Sequence, residues 1–149
     1  MVHALDEIHR LLRSDGTLVD IRPYAEPSIV EVISGDQTLF AEPKREHDHE
    51  GVVASDRAVD EVLARKAFSV ERAQEFEFFS YGSSAAEIRE FWDRYNDYDP
   101  EPKENDQLAF EDKVYARAEQ VRKEVGEDAE ISVHERVRMA RLKPQGGKR

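Results

Sequence analysis

ALDEIHRLLRSDGTLVDIRP, Ala4–Pro23, combines a helical repeat, a tight turn and an apolar strand in twenty residues. Ala4, Leu5, Ile8, Leu11 and Leu12 recur at helical spacing, which predicts an amphipathic helix over about Val2–Leu12. Arg10 and Arg13 stand near its C-terminal end, where the helix dipole favours cations. Ser14-Asp15-Gly16 stops the helix, with Gly16 able to take a positive φ. Thr17–Arg22 then reads as a strand with Leu18, Val19 and Ile21 as its apolar content. Pro23 and Pro27 bracket the loop that follows.

Working outward, Ser28–Glu42 reads as a β-hairpin whose arms flank the turn Ser34-Gly35-Asp36. Pro43–Glu50 is a polar loop. Gly51–Lys66 is a second helix with Val52, Val59, Val62 and Leu63 on its buried stripe. Phe68–Tyr81 is a long strand in which Phe68, Val70, Phe76 and Phe78 share one face, with Ala73-Gln74 the place for a bulge. Ser83 or Ser84 caps a third helix, and Glu87 stands where a capping box needs it. That helix runs to about Tyr95 and carries Ile88, Phe91, Trp92 and Tyr95. Asn96–Asn105, with two prolines, is a linker. A fourth helix, about Asp106–Val125, has Leu108, Val114, Ala118, Val121 and Val125 as its stripe and ends at Gly126. Glu130–Leu142 is the last strand, with Ile131, Val133, Glu135, Val137, Met139 and Arg141 on one parity. The expected organisation is one domain over 1–143 and a flexible tail over 144–149.

The 149 residues carry 22 basic and 33 acidic side chains, a net charge of −11. Such a surface repels phosphate backbones, so nucleic acid is not an expected partner. The basic cluster Arg136–Lys143 alternates with apolar residues and reads as the solvent face of a strand. Cysteine is absent, which excludes disulfides, thiolate nucleophiles and cysteine-ligated metals and suits a reducing cytoplasm. No apolar run approaches the ~20 residues of a membrane span, and MVHALDEIHR lacks the apolar core of a signal peptide. A soluble cytoplasmic protein without a membrane partner is expected.

The helix–turn–strand Ala4–Pro23 resembles the segment of class I S-adenosylmethionine (SAM) dependent methyltransferases that leads into the fifth sheet strand, usually R-V-L-K-P-G-G before an apolar strand. The element order extends the resemblance over most of the chain. Thr17–Arg22 corresponds to the fifth strand, Gly51–Lys66 to the helix after it, Phe68–Tyr81 to the sixth strand and Glu130–Leu142 to the seventh. The resemblance implies an α/β protein, α+β in appearance: a mixed, mostly antiparallel sheet with helices packed on it, a partial Rossmann-like fold. It also implies that the seventh strand lies antiparallel between the fifth and the sixth. The family holds SAM with a glycine-rich loop after its first strand and an acid at the end of its second. The glycines here, at 16, 35, 51, 82, 126, 146 and 147, include no pair with G-x-G spacing. No SAM-binding residue is therefore assigned, and no cofactor is expected for this chain alone. The expected role is a truncated or non-catalytic binding or assembly module. Two alternatives stay open: an active methyltransferase of a small molecule, its SAM half upstream or in a partner chain, and an unrelated α+β small-ligand binder.

No catalytic residue is assigned. Asp20, Arg22 and Tyr24 stand at the carboxyl end of the first strand, where open α/β sheets bind ligands; the plainer reading pairs Asp20 and Arg22 with each other or with the loop. Tyr81, Phe91, Trp92, Tyr95 and Tyr98 gather around the third helix. Tyr81, Trp92 and Tyr95 are the candidates there for substrate contact, and core packing is the plainer reading. His47 and His49 give an H-x-H pair of the kind that starts some metal sites, but in a charged loop with no third ligand placed, so no metal is assigned. The first strand needs a neighbour on its second side. The hairpin, the N-terminal helix or a second chain would supply it, and the last option gives a homodimer paired through an exposed sheet edge.

Overall fold

The computed structural model describes residues 1–96 and 105–146, except the side chains of 95 and 96. Nine elements follow one another among these residues: α1 (Val2–Leu11), β1 (Leu18–Pro23), β2 (Ile29–Ser34), β3 (Gln37–Pro43), α2 (Glu50–Ala64), β4 (Phe68–Gly82), α3 (Ala85–Asn96), α4 (Asn105–Val125) and β5 (Ala129–Pro144). The fold is mixed α and β with a five-stranded antiparallel sheet. Its strand order is β1-β5-β2-β3, with β4 also paired to β5. The contacts divide the chain into two units, the first Met1–Ala25, Asp48–Phe76 and Arg136–Arg149, the second Glu26–His47 and Glu77–Glu135.

In the first unit β1 pairs with the C-terminal half of β5, from Leu18 opposite Leu142 to Pro23 opposite Val137. A strand segment has two edges, so β4 takes the other edge of this part of β5. Cross-strand ion pairs follow the β4 register: Arg141 to Glu71 at 2.6 Å and Arg136 to Glu75 at 3.1 Å. The core is made by Leu5, Ala58, Val59, Val62, Phe68 and Leu142, with Val2, Ile8, Leu12 and Leu18 packed against it. Leu11, expected on the same helix face, is exposed, because the stripe that packs runs through Val2, Leu5, Ile8 and Leu12. Gly16 does not take a positive φ. Its place is fixed by crowding: a Cβ there would lie 2.8 Å from the Arg13 carbonyl and 2.9 Å from Leu12 Cδ2. β5 continues past Leu142 through Lys143 and Pro144. The Lys143 ammonium reaches the Asp15 and Gly16 carbonyls and Thr17 Oγ1, and Gln145 N–H donates to Ala67 O at 2.8 Å.

In the second unit the predicted hairpin forms, β2 pairing β3 across Gly35-Asp36 with Gly35 at φ 57, the left-handed conformation such tight turns require. β2 pairs not with β1 but with the N-terminal half of β5, Ile29 opposite His134 to Ser34 opposite Ala129. Val30, Val32, Ile131 and Val133 make a core with Ile88 of α3 and Val114, Tyr115 and Ala118 of α4. Leu108 and Val125, expected on the α4 stripe, are exposed. A single parity does not serve all of β5. Its odd residues Ala129, Ile131 and Val133 enter the core of the second unit, whereas Ala140 and Leu142 enter that of the first.

Candidate functional site

In the first unit β1 presents Asp20 and Arg22 on one face, because alternate residues of a strand share a side. The Arg22 guanidinium donates through Nε to both Asp20 oxygens, at 2.9 and 3.0 Å. Its Nη1 reaches Asp56 Oδ1 of α2 at 2.5 Å. Arg138, in the β5 register directly opposite Arg22, donates to the same Asp56 oxygen. The Asp20 and Arg22 side chains are each only 14% exposed. This is the pairing of Asp20 with Arg22 that the plainer reading foresees, with Asp56 added.

Tyr24 follows the end of β1, and its N–H donates to the Arg136 carbonyl at 2.9 Å, extending the ladder with β5. Its ring lies under two guanidiniums, Arg136 at 4.5 Å and Arg138 at 5.0 Å. Its hydroxyl donates to Glu75 of β4. That bond raises the phenol pKa above its ordinary value and lowers the Glu75 carboxyl, with Arg136 adding to the second effect. Tyr24 is thus held as a neutral donor and Glu75 as a carboxylate. Three arginines meet three carboxylates here: Arg22, Arg136 and Arg138 against Asp20, Asp56 and Glu75. Arg138 Nε is buried and has no hydrogen-bond partner among the described residues. Chemically the cluster is a charge-balanced clamp. It fixes the end of β1 against α2, β4 and β5.

Tyr81 and Trp92 belong to the second unit and stand in separate ring groups. Tyr81 is exposed and stacks on Phe79 at 6.1 Å, and Phe79 stacks on His134 at 4.3 Å. Trp92 meets Phe91 edge-on at 5.6 Å, with the Lys44 ammonium 4.8 Å from its ring. The Tyr95 side chain and all of Tyr98 lie outside the described residues. Near Trp92 on α4, Tyr115 is buried, and burial raises its phenol pKa far above the ordinary value. His49 is the N-cap of α2, its N–H donating to the Ala25 carbonyl, and His47 is exposed. Among the described residues no group of three or more His, Asp or Glu side chains is arranged to hold a metal ion. No helix among them is long and apolar enough to cross a membrane.

Sequence reasoning did not single out Asp56, Glu75, Arg136 and Arg138. The only signal was the alternation of basic and apolar residues over Arg136–Lys143. It shows a solvent-facing row, but which carboxylates meet that row depends on the strand register. His134 of β5 sits between two carboxylates, Glu77 at Nε2 and Glu31 at 3.6 Å from Nδ1. Comparison with protein-family models, with curated proteins and with solved structures finds no match to this chain.

Proposed function

We propose that this chain is a methyltransferase-like module, built like the C-terminal half of a class I SAM-dependent methyltransferase and working by binding and assembly. The observation that carries the reading is the strand arrangement of the first unit. β5 runs antiparallel to β1 on one edge and carries β4 on the other, the order that the resemblance implies for its fifth, seventh and sixth strands. On this reading the sheet is a partial Rossmann-like one. The clamp of Asp20, Arg22 and Tyr24 then marks the carboxyl end of the fifth-strand equivalent, where ligands of open α/β sheets sit. Its internal charge balance favours a rim that holds shape over one that reacts. Any SAM site belongs to another segment or chain, since no glycine pair here offers the close backbone approach that a nucleotide needs. The cysteine-free composition fits work in a reducing cytoplasm.

Isothermal titration of the purified chain with SAM and with S-adenosylhomocysteine tests the reading. The expected result is no binding heat up to about 1 mM ligand, which places any affinity weaker than roughly −4 kcal/mol. Saturable binding in the micromolar range would overturn it.

A further inference from the structure

We infer that β1 is an assembly edge that pairs antiparallel with β1 of a second copy, about a twofold axis at Ile21. The inference rests on reading the chain as an assembly module and names its partner.

β1 hydrogen-bonds to β5 alone; among the described residues no strand lies on its other edge. The Tyr24 N–H points at β5, and backbone direction alternates along a strand. Residues 22, 20 and 18 therefore also face β5, and Val19, Ile21 and Pro23 turn their backbone groups to the open edge. The side chains of Val19 and Ile21 share one face and are 54% and 58% exposed. They form a small apolar strip beside Met139, the β5 residue opposite Ile21.

The charges choose the register. Antiparallel self-pairing that keeps the open-edge backbone groups facing each other centres on Asp20, Ile21 or Arg22. Centring on Asp20 sets two carboxylates opposite each other, and centring on Arg22 sets two guanidiniums opposite each other. Like charges directly opposite are destabilising in a sheet. Centring on Ile21 sets Asp20 opposite Arg22 of the second copy, twice. It also makes Ile21 a hydrogen-bonded pair with its own copy and lets Val19 N–H donate to the Pro23 carbonyl of the other chain. Pro23 has no N–H to give, so the ladder stops there. A twofold contact of this kind is closed and adds no further chains. The β4 edge is a poorer candidate: Glu71, Glu75 and Glu77 crowd its middle, the kind of charge that blunts an edge strand.

Single-cysteine cross-linking tests this in the full chain, which has no native cysteine to compete. In the Ile21 register the two Cα atoms of residue 21 lie about 5.5 Å apart, within disulfide reach. Under mild oxidation Ile21→Cys is expected to give a cross-linked dimer, with at least about tenfold less from Val19→Cys, whose neighbour in the second copy is Pro23. Sedimentation of the unmodified chain should give twice its 17.2 kDa mass, and Ile21→Lys should halve that mass with an unchanged circular dichroism spectrum. A monomer at about 0.5 mM would overturn the inference, as would a dimer that the Ile21→Cys variant fails to cross-link or that survives Ile21→Lys. Were Ile21→Lys to unfold, the cross-linking comparison still decides. A monomer that gives no SAM heat removes the dimer and leaves the functional reading standing. A dimer that binds SAM at micromolar concentration does the reverse.

Discussion

Glu119 shows how one side chain joins two helices of the second unit. From α4 its carboxylate accepts the Ala85 N–H at 2.9 Å, at the first turn of α3, where helix N–H groups lack partners and the dipole favours an anion. Arg122 clamps the same carboxylate at 2.8 Å. With Arg122 the larger cause and the Ala85 bond adding to it, the carboxyl pKa falls from 4.5 to about 2. A folded pKa below the unfolded one stabilises the fold above about pH 4.5, and the benefit is lost as pH falls toward about 2. The side chain is 21% exposed, so the drop corresponds to on the order of 2 kcal/mol. Urea denaturation should show Glu119→Gln less stable than wild type at pH 7, with the gap closing between pH 4.5 and about 2. An equal gap at both ends would show that Glu119 acts by packing alone. None of this was legible beforehand. Sequence spacing shows that Arg122 sits one turn from Glu119, but not that Ala85 lies beyond. The same limit hid Asp56 behind Arg22 and Arg138. The Asp20–Arg22 pair was legible because both partners sit on one face of one strand.

At the scale of elements, the stops and starts were the readable part, although not always for the expected reason. Ser34-Gly35-Asp36 turns the chain as its composition demands. Ser84 and Glu87 cap α3 as foreseen: Ser84 Oγ accepts the Glu87 N–H, and Ser83 donates back to the Glu87 carboxylate. α2 ends at Ala64, two residues before the expected Lys66, with no glycine to mark the stop. Arg65 is the last cap residue, and Lys66 follows at φ 58. Lys66 N–H donates to Leu63 O and Ala67 N–H to Val62 O, the pair of bonds that closes a helix through a left-handed residue. A lysine in that conformation carries a Cβ clash of roughly 1–2 kcal/mol that glycine avoids. Part of that gain is lost because glycine has more freedom in the unfolded chain. Lys66→Gly is therefore expected to stabilise the protein by about 0.5–1 kcal/mol. A thermal midpoint raised by a few degrees would agree; a lowered one would mean the lysine side chain matters where it lies. The parity of β5 was one element-level reading that failed, alongside Leu11 on the α1 face and Leu108 and Val125 on the α4 stripe, all three exposed. Alternation tells which residues share a side, but not that one long strand serves two cores.

For the whole molecule, the governing quantity is net charge. The excess of 33 acids over 22 bases leaves each copy at −11, so two copies approaching each other repel at long range whatever their contact surfaces offer. Two effects of salt on the β1 pairing then oppose each other. Salt weakens the attraction of Asp20 for Arg22 across the interface. It also shortens the reach of the overall repulsion, from about 30 Å at 0.01 M ionic strength to about 8 Å at 0.15 M. Asp20 and Arg22 already neutralise each other within one chain, so moving that pairing across the interface adds little attraction for salt to remove. The remaining attraction comes from backbone hydrogen bonds and from the apolar strip of Val19 and Ile21, neither of which salt screens. Repulsion is thus the larger salt-dependent effect. Dimerisation should tighten severalfold between 0.01 and 0.15 M sodium chloride, measured as the shift of the monomer–dimer boundary in sedimentation equilibrium. Weakening over the same range would mean that ion pairs dominate the contact, and would move the interface away from the β1 edge toward a surface where unpaired charges of opposite sign meet.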